Sequence, residues 1–193
     1  MSYLNQFVES IRFLGELEPE FFLNESAVEK AKQHFQELAD KDFTANLIPI
    51  LEQLAGQYIA HSPQNFAHIC HGICDDFHHR ISYQFDSAIT IGAVSYLGAP
   101  IYDVSPDSIR QAVTKGFQPG EPLNLHVWLT FPDMTVLDLT IIPTIVDKGL
   151  IQAGSYPTPY VIWREDQDSP FSYIPLLQDN NFATLVDQIT VYA

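Results

Sequence analysis

Three side chains that could together run thiol chemistry stand apart in this chain. Cys74 lies in Gly72-Ile73-Cys74-Asp75-Asp76-Phe77, His126 in Leu125-His126-Val127-Trp128-Leu129, and Asp138 in Val136-Leu137-Asp138-Leu139-Thr140. A thiolate attacks carbonyl carbon. An imidazole within hydrogen-bond reach moves its proton, and a carboxylate on that imidazole fixes the tautomer and the ring orientation.

Alternation places the last two together. Leu123, Leu125, Val127, Leu129 and Phe131 share one parity, and Asn124, His126, Trp128 and Thr130 the other. Past Phe131-Pro132-Asp133-Met134, the apolar set is Leu137, Leu139 and Ile141, with Asp138 and Thr140 opposite. Side chains alternate faces along a strand, so a β-hairpin that sends both apolar sets to one core must put His126 and Asp138 on the same other face. A three-residue loop, Pro132-Asp133-Met134, gives that register. Pro-Asp lacks the Asn-Gly or glycine chemistry of two-residue loops, which would split the pair. The two residues are then opposite or diagonal neighbours, roughly 5–8 Å apart at Cα. Without a nucleophile beside them, such a pair on the outer face of a hairpin is an ordinary solvated His and Asp.

The segment from His61 to Arg80 holds both cysteines, Cys70 and Cys74, and five of the seven histidines. It supports three readings. For thiol chemistry at Cys74, a helix should start near Gly72, so that the macrodipole and free N–H groups act on the sulfur. For a metal centre, His71, Cys74 and His78 share one face of a continuous helix, although one helix seldom supplies a full tetrahedral set. In the third reading both cysteines are small buried apolar residues and the histidines lie at the surface.

The elements that must position these groups follow from periodicity. Helices are expected over 3–14, from a cap at Asn24 or Ser26 (with Glu29 forming a capping box) to Ala39, and over 46–60 with Pro49 in the first turn. Ser62-Pro63 predicts a helix start covering much of 63–80. A strand is expected at 88–97, a helix from Ser105-Pro106 to Gly116, the hairpin, and an apolar loop at 141–149 carrying Pro143. Short strands at 160–163 and 171–174 and a helix capped by Asn180 or Asn181 complete the chain. Helices first, then mostly antiparallel strands, predict an α+β fold. The 193 residues read as a single domain, 1–193, with a helical N-terminal extension over 1–60 and an α+β core over 61–193.

Composition narrows the function classes. Apolar residues at 46% and aromatics at 12% suffice for a sizeable core. Nine basic against 24 acidic residues, a formal charge of −15, disfavours nucleic acid and anionic membranes as partners. It also fits an acidic immunity or inhibitor protein that blocks a basic partner. The N-terminus lacks a basic start and apolar core of a signal peptide, no apolar run approaches a membrane span, and two cysteines make no disulfide framework. The expected setting is reducing and cytoplasmic, with free thiols.

Gly72-Ile73-Cys74-Asp75-Asp76-Phe77 resembles the glycine-x-cysteine-x-x-aromatic motif at the nucleophile of transglutaminase-like thiol enzymes. His126-Val127-Trp128 is similar to their histidine-alanine-tryptophan strand, and Asp138-Leu139-Thr140 to their aspartate-proline-threonine segment. The three occur in the family's order and span about residues 70–142. The resemblance implies a papain-like core, with a cysteine-bearing helix packed on an antiparallel sheet. It implies Cys74 as nucleophile, His126 as base and Asp138 as orienter, with Gln64, Asn65 and Trp128 as candidate oxyanion or supporting residues. The implied activity is a hydrolase or acyltransferase working on a protein, peptide or small amide through a thioester, with no cofactor. A non-catalytic binding or inhibitor protein of the same fold, and a metal-binding protein using the His/Cys cluster, are the rival expectations.

Overall fold

A computed structural model describes residues 1–39, 43–62, 65–115 and 124–178. The elements in order are α1 (Tyr3–Leu17), a 3-10 turn (Pro19–Phe21), α2 (Glu25–Ala39), α3 (Phe43–Ala60), α4 (Cys70–Ile81), β1 (Ala88–Tyr96), β2 (Ala99–Tyr102), α5 (Pro106–Lys115), β3 (His126–Thr130), β4 (Val136–Asp138), α6 (Ile141–Asp147), β5 (Val161–Trp163) and β6 (Phe171–Gln178). The fold is α+β, with an open sheet whose pairings are all antiparallel. The helix expected after Asn180 and the closure at Gly116 lie outside the described residues.

β1 is the strand on which the sheet is built. β6 pairs its residues 90–96 on one side. On the other side β3 pairs 88–92 and β2 pairs 94–96, so β2 and β3 follow each other end to end along one edge. β4 and β5 continue outward from β3. Gly92 stands opposite His126, and Val94 opposite Tyr102.

Both faces are covered. One apolar cluster joins Ile89, Ile91, Val127, Leu129, Leu137 and Leu139 of the sheet to α3, α4 and α5. A second joins Val94, Tyr102, Trp128, Val136, Trp163 and Tyr173 to α1, α2 and α6. The outer face expected for His126 is therefore interior. Helix α1 accounts for much of this, because Tyr3, Leu4, Phe7 and Val8 recur at helical spacing and are buried against the sheet. The Tyr3 hydroxyl meets Thr130 Oγ1 at 2.7 Å and accepts from Trp128 Nε1 at 2.9 Å, and Thr130 Oγ1 meets Thr90 Oγ1 at 2.8 Å. Each buried group so paired avoids a desolvation cost of about 1–3 kcal/mol. The helices of residues 1–60 thus take part in both clusters.

Several local expectations are corrected. Asn24, not Ser26, caps α2, its side chain accepting from Ala27 N–H at 3.0 Å. Helix α3 starts earlier than expected, which puts Pro49 inside it. The 141–149 loop is instead helix α6, with Pro143 in its first turn, where a missing N–H costs nothing. The helix expected from Pro63 begins at Cys70.

Candidate active site

His126 opens β3 and Asp138 closes β4. The register Leu129↔Leu137 and Thr130↔Val136 continues to Phe131 N–H→Thr135 O at 2.8 Å, leaving the three-residue loop Pro132-Asp133-Met134. Met134 takes the left-handed conformation (φ 65°) that such loops require at their last position. Asp133 braces the turn by accepting from Thr135 N–H and Oγ1 at 3.1 and 3.0 Å. Asp138 falls diagonal to His126 on the same face. His126 Nε2 and Asp138 Oδ2 are 2.7 Å apart, and both residues are fully buried.

The Asp138 carboxylate accepts from five groups. Oδ1 takes Thr140 N–H at 3.0 Å, Thr140 Oγ1 at 3.3 Å and Ile141 N–H at 3.0 Å, which ties it to the start of α6. Oδ2 takes the His126 ring and, at 3.0 Å, the Tyr173 hydroxyl. A buried carboxylate is an acceptor on every lone pair, and this one is matched by donors.

Burial works against a charged His126 ring, yet the charge and hydrogen bond of Asp138, with a smaller contribution from the Cys70 thiol, push its pKa up to about 10. Nδ1 is buried without a hydrogen-bond partner. The ring plane is set by Tyr102, stacked at 4.9 Å between centroids with 15° between planes.

Of the two cysteines, Cys70 is the one near enough to bear on the imidazole, and no hydrogen bond joins the two side chains. It is the first residue of α4 and about 9% exposed. Ile69 at the cap position supplies no side-chain hydrogen bond, and the first intrahelical bond is Ile73 N–H→Ile69 O at 3.2 Å. Cys74 lies one turn further on and is fully buried, its thiol donating to Val127 O at 3.3 Å. Burial above all, with Asp138, Cys70 and Asp75 adding to it, raises the Cys74 thiol well above its ordinary value. The expected helix start near Gly72 is therefore displaced: Gly72 is the third residue of α4, and Cys74 does not stand at a helix N-terminus.

The remaining predicted residues are placed as follows. Gln64 lies outside the described residues. Asn65 is exposed, its side-chain oxygen held by Ala67 N–H at 3.1 Å. The Trp128 indole N–H is occupied by Tyr3. His71 is lowered below its usual value by burial, His78 Nδ1 is 2.8 Å from Ser87 Oγ, and Cys74 is on Val127 O. Among the described residues no group of three or more His, Cys, Asp or Glu is disposed to hold a metal ion, so His71, Cys74 and His78 are not gathered as a ligand set.

Cys70, Tyr102 and Tyr173 are the site residues that sequence reasoning missed. For Cys70 a signal exists, since four-residue spacing puts both cysteines on one helix face. For the tyrosines there is none, because their approach depends on strand pairing remote in sequence. Among the described residues no helix is long and apolar enough to cross a membrane. No family model, curated protein or solved structure matches this chain.

Proposed function

We propose that this chain is a cysteine-dependent amide hydrolase or acyltransferase in which Cys70, rather than Cys74, is the nucleophile, His126 the acid and base, and Asp138 the orienter. One observation carries the reading. A buried imidazole has Nε2 committed to a carboxylate and Nδ1 unpartnered, beside a thiol that begins a helix without a side-chain cap. The order cysteine helix, histidine strand, aspartate strand also supports a transglutaminase-like or papain-like core, with the cysteine motif shifted by one helical turn.

The chemistry runs in two halves. The Cys70 thiolate attacks the carbonyl carbon of an amide, and the π electrons move to oxygen, facing the N–H groups at the start of α4. The tetrahedral species collapses, the C–N bond breaks, and His126 gives its proton to the departing amine. Water, or an acceptor amine, then loses a proton to His126 and attacks the thioester, returning Cys70 as thiolate and releasing acid or new amide. Water is always at hand, so hydrolysis is the preferred outcome. Proteins, peptides or small amides are the substrate class.

A second reading, a non-catalytic binding or inhibitor protein, is favoured by the full burial of His126 and the near burial of Cys70, and by the charge of −15. One experiment separates the two. The native protein is treated with iodoacetamide near neutral pH, and the adducts are mapped by mass spectrometry. The thiol-enzyme reading expects labelling at Cys70, kept in Cys74→Ala and absent in Cys70→Ala. Native protein that labels at neither cysteine, while the denatured chain labels at both, sinks it.

A further inference from the structure

Asp138 is held from a direction that thiol chemistry does not demand. Its Oδ1 is bonded by its own loop, which fixes where the carboxylate sits. Its Oδ2 is shared between His126 Nε2 at 2.7 Å and the Tyr173 hydroxyl at 3.0 Å. Tyr173 comes from β6, and both β1 and β3 lie between that strand and β4. Three strand spacings of ~4.8 Å separate the two strands, a gap spanned by the tyrosine reaching across the sheet face and the aspartate reaching back. Gly92 presents no side chain on this face. The phenol is steadied by Trp128 and Trp163 at 5.1 and 5.4 Å between centroids, and it is 2% exposed. A long reach, a packed ring and a shared oxygen make this contact part of the site's architecture.

We propose that Tyr173 is a positioning residue of the Cys70–His126–Asp138 site, setting through Asp138 Oδ2 how tightly the imidazolium is held. Its catalytic meaning rests on the thiol-enzyme reading above. The hydroxyl competes with His126 for the electron density of one oxygen, so its removal leaves more of the carboxylate's charge to the ring. The groups facing His126 are Asp138 from β4, Cys70 from α4 and Tyr102 from β2, with Lys148 at the end of α6 lying over Tyr102. Tyr173→Phe changes none of them and adds no charge.

The test follows the His126 ring by NMR across pH in the full chain. Tyr173→Phe should raise its titration midpoint by at least about 0.3 unit, a twofold change in proton binding. In an Asp138→Asn background the same substitution should do nothing, as a double-mutant cycle requires of a residue acting through Asp138. 3-Fluorotyrosine at position 173, a stronger donor, should shift the midpoint the other way, and it keeps the test decisive if a variant fails to fold. An unchanged midpoint in Tyr173→Phe, or an equal shift with Asp138 replaced, overturns the proposal. The pH profile of Cys70 alkylation should move with the His126 midpoint. If Cys70 does not react at all, the thiol-enzyme reading falls, while the NMR result still decides what Tyr173 does to the ring.

Discussion

Tyr102 lies flat on His126, ring centroids 4.9 Å apart and planes 15° from parallel, and Lys148 Nζ stands over the tyrosine ring at 4.4 Å. The stack closes the site on the side of β2, and Tyr102 is 6% exposed. Removing the ring should cost about 3–5 kcal/mol, as for other large buried aromatics. Tyr102→Phe keeps the stack and removes only the hydroxyl, and should cost no more than about 1 kcal/mol. Urea unfolding of Tyr102→Ala and Tyr102→Phe measures both. Equal losses would show that the hydroxyl, not the stack, is what matters.

Gly92 should tolerate no side chain. A Cβ built there would lie 2.0 Å from Ile174 O and 2.7 Å from the Trp128 ring, and the first of these is backbone of the paired strand β6. Gly92→Ala should destabilise by about 2–3 kcal/mol or more, the range of overpacked cores. A melting temperature within a degree of wild type would mean that β6 shifts freely, and the pairing described above would not hold.

The buried imidazole links stability to pH. The His126 pKa is raised from 6.5 to about 10 in the folded chain: burial opposes the charge, and Asp138 outweighs it. A group whose folded pKa is raised gives its full stabilisation below the unfolded value and loses it as pH climbs through the folded one. Thermal melts should therefore show stability falling from about pH 6.5 to pH 10. Asp138→Asn should flatten that slope while costing about 3–5 kcal/mol near neutrality, as for a broken buried ion pair. A slope of the same size in the variant would assign the linkage to other groups.

Cys74 should behave as an inert core residue. Its thiol is fully buried, bonded to Val127 O and raised well above its ordinary value. Thiolate is the reacting form, so iodoacetamide should leave Cys74 unmodified in the native chain at pH 8 and modify it on denaturation. Rapid native labelling at Cys74 would contradict the packing of α4 on β3.

The hairpin was legible because its cues are local. Two apolar parities and the chemistry of Pro132-Asp133-Met134 are enough to bring His126 and Asp138 together, and the observed register uses that three-residue loop. The start of α4 was not legible. Ser62-Pro63 is a strong start signal, whereas Ile69, at the true cap position, is among the poorest capping types. The expected helix origin therefore falls too early, and Gly72 draws attention to Cys74, which lies inside α4 and not at its start. Helix α6 was missed for a related reason. Pro143 reads as a breaker, and the capping role of Asp138 shows only when its carboxylate is seen on Thr140 and Ile141 N–H. Tyr102 and Tyr173 reach the site through pairings with β1, which alternation within a strand cannot specify.

The end-to-end placement of β2 and β3 along β1 leaves a seam at Ala93, between the pairs Gly92↔His126 and Val94↔Tyr102. A continuous strand there would wall one face of the sheet from the other. Cys70 packs with the cluster on the α4 face, Tyr102 with the opposite one, and His126 shares its strand face with Trp128. The ladder along this side of β1 therefore breaks beside His126, the first residue of β3, so the site is built where two strand ends meet and not within a continuous strand.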